Sequence, residues 1–338
     1  MAPEYHKPML LSALSRMNLF KTTVALSLSL CFILSPPAWA AEPTITTAQG
    51  TTLDRTLVIN GLIDQNIIYL GETHDSSADH QIQLEILQEL YKRRPNLSIA
   101  LEQFQRPYQR VLDDYQQGKL TEAQLVTNSE YETRWGFPWS LYEPLLQFAK
   151  TNNLPLIALN TPSEVTRKVA RQGLASLTFA DRRFIPSLST IQVGPESYRN
   201  RIQTIYTEMH TAKITSPSSS SNGTNPNHTD LSKNQRFTRF FEAQVLWDET
   251  MADRIAQAVQ QNPDRLIVVL VGQGHLFYHD GIPNRVTRRL KNKSVKQTTI
   301  LLNPDSSGQP LEPTTKQPIA DILWNAKLYT LRALGGNK

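Results

Sequence analysis

Residues 266–275 read LIVVLVGQGH, and this stretch decides the fold. Six consecutive apolar residues lead into a glycine and then into the polar sequence Gln273-Gly274-His275. A continuous apolar run is typical of a strand that is covered on both faces, as in a parallel sheet, whereas a half-exposed strand alternates apolar and polar residues. The sequence therefore predicts a buried strand whose carboxyl end carries polar side chains.

Other short apolar runs recur along the chain and predict four more buried strands, at 67–70, 98–101, 156–159 and 298–302. Helical patterns separate them: Ser76 or Ser77 can cap a helix with Ile82 and Ile86 on its apolar face, and residues 240–259 form a longer amphipathic pattern. This rhythm of strands and helices predicts an α/β fold, with a parallel-sheet core and flanking helices.

The chain divides into segments of different character. We predict an α/β domain over 56–335 that contains a helical cap subdomain at 103–150, where aromatic residues are frequent. The polar, serine-rich stretch 214–235 predicts a disordered insertion, and the threonine-rich residues 41–55 predict a flexible leader.

The first forty residues have the features of a signal peptide. Arg16 and Lys21 precede an apolar run at 24–34, and Ala38-Trp39-Ala40 offers small residues for cleavage. We therefore predict an exported protein of the periplasm or an equivalent compartment, with a retained N-terminal anchor as the alternative. Peripheral membrane association is expected only if Cys31 is lipidated, and Leu30 stands where a lipobox has a small residue.

Charge and cysteine content exclude several classes of function. The net charge is +5, of which the first forty residues contribute +2, and so mild a value over the remainder gives no sign of nucleic-acid binding. Cys31 is the only cysteine, so cleavage after Ala40 would leave no disulfide and no thiolate ligand.

Polar residues follow the predicted strands, in the positions where open parallel sheets bind ligands. Glu72 and His74 follow the first strand, Glu102 the second, and His275 the strand at 266–271. Two imidazoles and two carboxylates suit a divalent metal such as Zn²⁺, Mn²⁺ or Fe²⁺. In that case Glu72 or Glu102 could act as the general base for a bound water.

The aromatic cluster at 135–139 and the acidic pair Asp248-Glu249 each allow two interpretations. The cluster Trp135 to Trp139 is either the roof over a flat apolar ligand or the core of a small subdomain. Asp248 and Glu249 either face solvent on the long helix, or Asp248 supports the site as an acceptor. We find no Gly-x-Ser-x-Gly elbow, no P-loop and no Gly-x-Gly-x-x-Gly after the first strand, which argues against serine nucleophiles and dinucleotide binding.

The chain resembles the ChaN-type haem-binding family, within the superfamily that also holds the Tiki and TraB metalloproteases and the erythromycin esterases. The resemblance covers most of residues 56–292 and rests on motifs that occur in the same order, namely LGETH at 70–74, LEQF at 101–104, the aromatic segment 135–142, WDETMA at 247–252 and GQGH at 272–275.

The resemblance implies haem binding in iron uptake, with cofacial haems at a dimer interface and tyrosine ligation. Candidate haem contacts are His275, Tyr278, His279 and Trp135. Asp280 stands before Gly281-Ile282-Pro283, where the family often has a tyrosine.

Three functional hypotheses follow. The first is an exported protein that binds haem or another small molecule, as a possible homodimer, in haem or iron acquisition. The second, implied by the wider superfamily, is a metal-dependent peptidase or esterase with His74 and His275 as ligands and a glutamate base. The third is a non-catalytic scaffold.

Overall fold

The computed structural model describes residues 43–215, 232–291, 294–304 and 309–326. The predicted signal peptide, Cys31 and residues 41–42 lie outside the described residues, as does the end of the chain after 326.

A seven-stranded sheet forms the centre of the described chain. Its strands are β1 (Thr44–Thr46), β2 (Ile67–Glu72), β3 (Leu97–Gln105), β4 (Leu156–Asn160), β5 (Leu266–Gly272), β6 (Gln297–Leu302) and β7 (Ile322–Asn325). They lie in the order β1-β7-β6-β2-β5-β3-β4. Every neighbouring pair is parallel except β1 and β7. The predicted parallel-sheet α/β class is confirmed.

Ten α-helices connect and cover these strands in the described residues. They are α1 (Arg55–Leu62), α2 (Ser77–Arg93), α3 (Gln109–Gln116), α4 (Glu122–Asn128), α5 (Tyr131–Arg134), α6 (Glu143–Thr151), α7 (Ser163–Gln172), α8 (Glu196–Thr215), α9 (Lys233–Gln261) and α10 (Ile282–Arg289). None of the helices within the described ranges is both long enough and apolar enough to cross a membrane.

The apolar strands are buried on both faces because helices pack on each side of the sheet. In β2, Ile68 and Leu70 face a core shared with α2, while Ile67 and Tyr69 face a second core shared with α9 and α10. Burial of each such side chain stabilises the fold by roughly 1.5–3 kcal/mol relative to exposure. This two-sided burial explains the unbroken apolar runs of the sequence.

The start of the domain differs from the predicted flexible leader. Thr44–Thr46 forms strand β1, which pairs with β7 from the far end of the chain, and Ile45 is buried. Asp54 then caps α1 by accepting a hydrogen bond from the backbone N–H of Leu57. The prediction was wrong here because the pairing partner of this polar segment lies almost three hundred residues away.

Both edges of the predicted insertion at 214–235 are helical. Helix α8 runs to Thr215, and α9 begins at Lys233, where Ser232 and Gln235 form a reciprocal capping box. Residues 216–231 lie outside the described residues. The serine-rich pattern predicts disorder at this edge, whereas Ser232 caps the amino end of α9.

The segment predicted as a helical cap is displaced by a few residues. Strand β3 continues to Gln105, so the helical region runs from Arg106 to Thr151 and includes α3 to α6. A second helical segment, between β4 and β5, was not predicted as such; it includes α7 and α8 and leads into the long helix α9.

Candidate functional site

The carboxyl ends of β2, β5 and β3, which are neighbours at the centre of the sheet, form the candidate site. Glu72 of β2 lies in register with Gly272 of β5, so both strands end at the same level. Glu102 belongs to the adjacent β3, and His275 lies in a 3₁₀ turn directly after β5. The structure thus brings together Glu72, Glu102 and His275, with His74 two residues beyond β2.

His275 is held between two carboxylates. Its Nε2 lies 3.4 Å from Glu102 Oε1, and its Nδ1 makes a very short contact with Asp248 Oδ1 on α9. Glu102 Oε2 accepts a 2.7 Å hydrogen bond from the backbone N–H of Gly272. Because both ring nitrogens of His275 face a carboxylate, this imidazole is fixed in position and stabilised in its protonated form.

Electrostatic attraction between His275 and Glu102 shifts the pKa values of both groups. Burial alone lowers the pKa of His275, but the charges of Glu102 and Asp248 outweigh it and raise the pKa to about 10. Burial likewise raises the pKa of Glu102, and the charge of His275 overcomes this and lowers it to about 2. The neighbouring charges therefore favour the protonated form of His275 and the ionised form of Glu102.

Glu72 is saturated with hydrogen-bond donors. Its Oε1 accepts from His74 Nδ1 at 3.0 Å, Tyr142 Oη at 2.6 Å and Gln103 Nε2 at 3.2 Å. Its Oε2 accepts from Gln83 Nε2 at 2.7 Å. The side chain of Glu72 is buried and both of its oxygens accept hydrogen bonds, so in this arrangement Glu72 offers no free oxygen to a water or a metal ion. Its role here is to orient His74.

His74 is the more accessible of the two site histidines, with 27% of its side chain exposed against 11% for His275. A carboxylate can only accept, so Nδ1 donates to Glu72, and Nε2 lies beside Gly272. Burial lowers the pKa of His74, but the hydrogen bond to Glu72 and the charge of Glu102 raise it above the ordinary value.

Aromatic rings enclose the imidazole of His74. Trp135 meets it edge-on with ring centroids 4.7 Å apart, and Phe137 lies at 5.0 Å in a tilted arrangement. Both aromatic residues come from the helical region between β3 and β4, so the aromatic segment contacts the site while also packing against the core. An exposed imidazole with an apolar rim can accept a flat apolar ligand.

Two glycines permit the close approaches that this arrangement needs. A Cβ at Gly272 would lie 2.7 Å from His74 Cε1 and 2.9 Å from Nε2. A Cβ at Gly281 would lie 2.0 Å from the backbone oxygen of His275. Glycine is therefore required at both positions, because any side chain would displace a site histidine or its backbone.

These motifs match the sequence profile of the family described as "Haem-binding uptake, Tiki superfamily, ChaN" over residues 58–286. The chain belongs to this family. The match begins within α1 and ends within α10, contains strands β2 to β5, and includes all seven predicted site residues.

Two known proteins are similar to this ChaN-family chain, one in structure and one in sequence. ChaN of Campylobacter jejuni, solved with cofacial haem, superimposes with a TM-score of 0.62 at 17% identity over 84% of this chain and 96% of that chain, which supports a shared fold. Protein RETICULATA-RELATED 5, a chloroplastic protein of Arabidopsis thaliana, is 30% identical over 284 residues. That match covers 80% of this chain and 35% of the relative, so the chain spans about a third of the relative's length.

Two predicted residues of this ChaN-family chain make their contacts elsewhere. The hydroxyl of Tyr278 donates to the backbone carbonyl of Gln309 at 2.8 Å, and the side chain packs in the core shared with α9. Nδ1 of His279 lies 3.4 Å from Thr299 Oγ1, and its Nε2 lies 3.7 Å from Asp321. The structure therefore does not gather Tyr278 and His279 with His74 and His275.

The divalent-metal alternative finds no support. Within the described parts of the chain, no group of three or more His, Cys, Asp or Glu side chains is arranged to hold a metal ion. The physical reason lies in the pairing: His74 Nδ1 is bonded to Glu72, and both nitrogens of His275 are taken by carboxylates.

Three residues of the site were missed or left open by sequence reasoning. Asp248 is fully buried on α9, where the reading as a solvent-facing residue was wrong, and Tyr198 donates to its second oxygen at 2.6 Å. Tyr142, which donates to Glu72, was seen only as part of the aromatic segment. The available signal was a pair of acidic residues, Asp248 and Glu249, in the interior of an apolar helical pattern.

Proposed function

We propose that this protein binds haem at the carboxyl edge of the sheet, and that His74 would hold the iron. The observation that carries the proposal is the state of His74: its Nδ1 is bonded to Glu72, its ring is partly exposed, and Trp135 and Phe137 flank it. Haem-binding proteins commonly hold the iron by a histidine whose other nitrogen donates to an acceptor.

The alternative axial ligands fit less well. Both ring nitrogens of His275 face carboxylates, so neither is free to bind iron. Tyr278 is buried, and burial raises the pKa of its hydroxyl, which opposes the tyrosinate that binds ferric iron. Of the residues predicted as haem contacts, Trp135 fits as an apolar neighbour of the ring and His279 has no contact with the site.

Neither of two cavities in the described chain coincides with the proposed haem site. The first cavity, of about 530 Å³, is lined by residues that include Gln65, Lys296 and Gln297. The second, of about 150 Å³, is lined by residues that include Ser98 and Ile267. These residues stand at the amino ends of the strands, on the edge opposite to His74. A second copy of the chain is the partner that we propose to cover the exposed face of the haem, in keeping with the cofacial haems of the Campylobacter jejuni relative.

The test is a titration of haemin into the purified protein, followed by the Soret absorbance. We expect a saturable shift that is lost in His74→Ala and retained in the control Tyr278→Phe, which removes only a hydroxyl bonded to Gln309. Loss of the shift in Tyr278→Phe with retention in His74→Ala would refute His74 as the ligand. Absence of any saturable shift would refute haem binding itself.

Hydrolysis without a metal is the second candidate function, and the arrangement Asp248–His275–Glu102 favours it. As water attacks the carbonyl carbon, His74 would accept the proton of that water, and the protonated His275 would donate its Nε2 proton to the leaving group as the ester or amide bond breaks. The experiment is a screen with chromogenic esters and short peptides. Glu102→Gln should abolish hydrolysis and leave the Soret shift intact, whereas turnover that survives Glu102→Gln would refute this role.

Export and a role in haem or iron acquisition remain part of the proposal. Export is supported by the basic flank, the apolar run and Ala38-Trp39-Ala40 within residues 1–40, and the acquisition role by the family description "Haem-binding uptake". Mass spectrometry of the mature protein should give an N-terminus at Ala41 in the periplasmic fraction. A full-length chain in the membrane fraction would instead indicate a retained anchor, and a lipid on Cys31 would indicate a lipoprotein.

A further inference from the structure

The carboxylate that orients His74 is shared among several donors, and one of them, Tyr142, comes from the helical region between β3 and β4. Tyr142 precedes α6, in the helical region between β3 and β4, and is fully buried. Its hydroxyl donates to the same oxygen of Glu72 that accepts from His74 Nδ1, and this 2.6 Å contact is the shortest of the three on that oxygen.

The tyrosine is held rigidly in this position. The ring of His80 packs on that of Tyr142 with centroids 4.4 Å apart, and His80 Nε2 is bonded at 3.0 Å to the backbone carbonyl of His74. Gln83 donates to the other oxygen of Glu72 and accepts from His80 Nδ1 at 3.1 Å. The carboxylate is thus fixed in orientation, and its negative charge is divided among the donors around it.

How strongly a carboxylate polarises an imidazole depends on what else it binds. An unshared carboxylate draws the Nδ1 proton toward itself and makes the other nitrogen a stronger electron donor. A carboxylate that also accepts a short bond from a phenol has less charge to offer. The contact between Tyr142 and Glu72 therefore weakens the bond between Glu72 and His74.

We infer that Tyr142 is a positioning residue that sets the donor strength of His74, by holding Glu72 and sharing its charge. The inference rests on the proposed ligand role of His74 where it concerns haem, and on geometry alone where it concerns the imidazole. Since donor strength at the axial nitrogen favours ferric over ferrous iron, removal of the hydroxyl should favour the ferric state.

The test compares Tyr142→Phe with a matched control, Tyr131→Phe. Tyr131 lies on α5 with its ring centroid 6.3 Å from that of Tyr142, it is equally buried, and its hydroxyl has no hydrogen-bond partner among the described residues. Both substitutions remove one buried hydroxyl from the same aromatic group. Only the first removes a donor from Glu72.

The first readout uses the haem-free protein. The proton on His74 Nδ1 should move downfield in the ¹H–¹⁵N spectrum of Tyr142→Phe and stay in place in Tyr131→Phe. The second readout is the midpoint potential of bound haem, which should become more negative in Tyr142→Phe alone. Equal spectra and equal potentials in the two variants would overturn the inference.

The two readouts separate this inference from the proposed function. If haemin does not bind to the wild-type protein, the haem proposal fails while the proton spectrum still tests the role of Tyr142. If Tyr142→Phe does not fold, the wild-type chain with 3-fluorotyrosine in place of tyrosine is measured instead. The more acidic phenol of Tyr142 draws more charge from Glu72, so the His74 Nδ1 proton should move upfield, and no movement overturns the inference.

Discussion

Replacement of Gly272 by alanine tests the site most directly, because it places one methyl group against His74. The new Cβ would lie 2.7 Å from Cε1 and 2.9 Å from Nε2 of the imidazole, and 3.5 Å from Glu102 Oε2. Carbon atoms in contact prefer about 3.5–4.0 Å, so the ring has to move by roughly 0.8 Å or more. Gly272 has no positive φ, so alanine brings no backbone strain of its own.

The ring cannot retreat freely. Trp135 and Phe137 lie with centroids 4.7 and 5.0 Å from it, and Nδ1 is bonded to Glu72. Overpacking of a tight site costs about 1–3 kcal/mol. If this cost falls on the bound state, the affinity for haemin drops by roughly tenfold to a hundredfold, since about 1.4 kcal/mol corresponds to a factor of ten.

The assay is a haemin titration by Soret absorbance, together with urea unfolding of the haem-free protein. Gly274→Ala is the matched control: it lies in the same motif, and a Cβ there meets nothing within 4 Å. We expect Gly274→Ala to bind as the wild type does. Wild-type affinity in Gly272→Ala would refute the reasoning, and an equal loss in both variants would show that the effect comes from the turn and not from His74.

Three further predictions concern stability. The folded-state pKa of Glu102 is lowered to about 2 from 4.5 and that of His275 is raised to about 10 from 6.5, so the pair stabilises the fold fully between about pH 4.5 and 6.5. The contribution of this pair to the free energy of unfolding is lost as pH falls toward 2 or rises toward 10. In His275→Gln, the free energy of unfolding in urea should therefore depend less on pH. Gly281→Ala should destabilise the protein by about 3 kcal/mol or more, measured as soluble yield and melting temperature, because its Cβ would meet the backbone of His275. Thr121→Ala should cost about 1 kcal/mol of unfolding free energy in urea, since it removes the capping box with Gln124, and Thr121→Ser should restore most of it.

The sheet was predictable where burial alone decides the structure. Residues 266–272 form an interior strand of the sheet that is covered on both faces. The continuous apolar run predicts this burial directly. β1 and β7 were missed because they are short, and Thr44–Thr46 carries only one buried residue. Their pairing joins opposite ends of the chain, and no local pattern reports such a contact.

The site was predictable to the level of strand ends and no further. Glu102 and His275 follow apolar runs, so their convergence at one edge of the sheet comes from topology alone. The partner of each residue depends on packing between distant elements: Tyr142 reaches Glu72 from the helical region, and Asp248 reaches His275 from α9. For the same reason the sequence could not show that Glu72 is fully bonded.

The pairing of β1 with β7 has a consequence for the order of folding. Thr44 lies opposite Asn325, so the first strand finds its only partner in the described sheet after nearly the whole chain has been synthesised. Until then Ile45 has no partner strand, while the central strands can already pair with one another. We therefore expect β1 to pair with β7 late in folding and to complete the edge of the sheet. A ribosome-bound chain that stops before residue 322 should leave Thr44–Thr46 open to protease while the interior around β5 is protected.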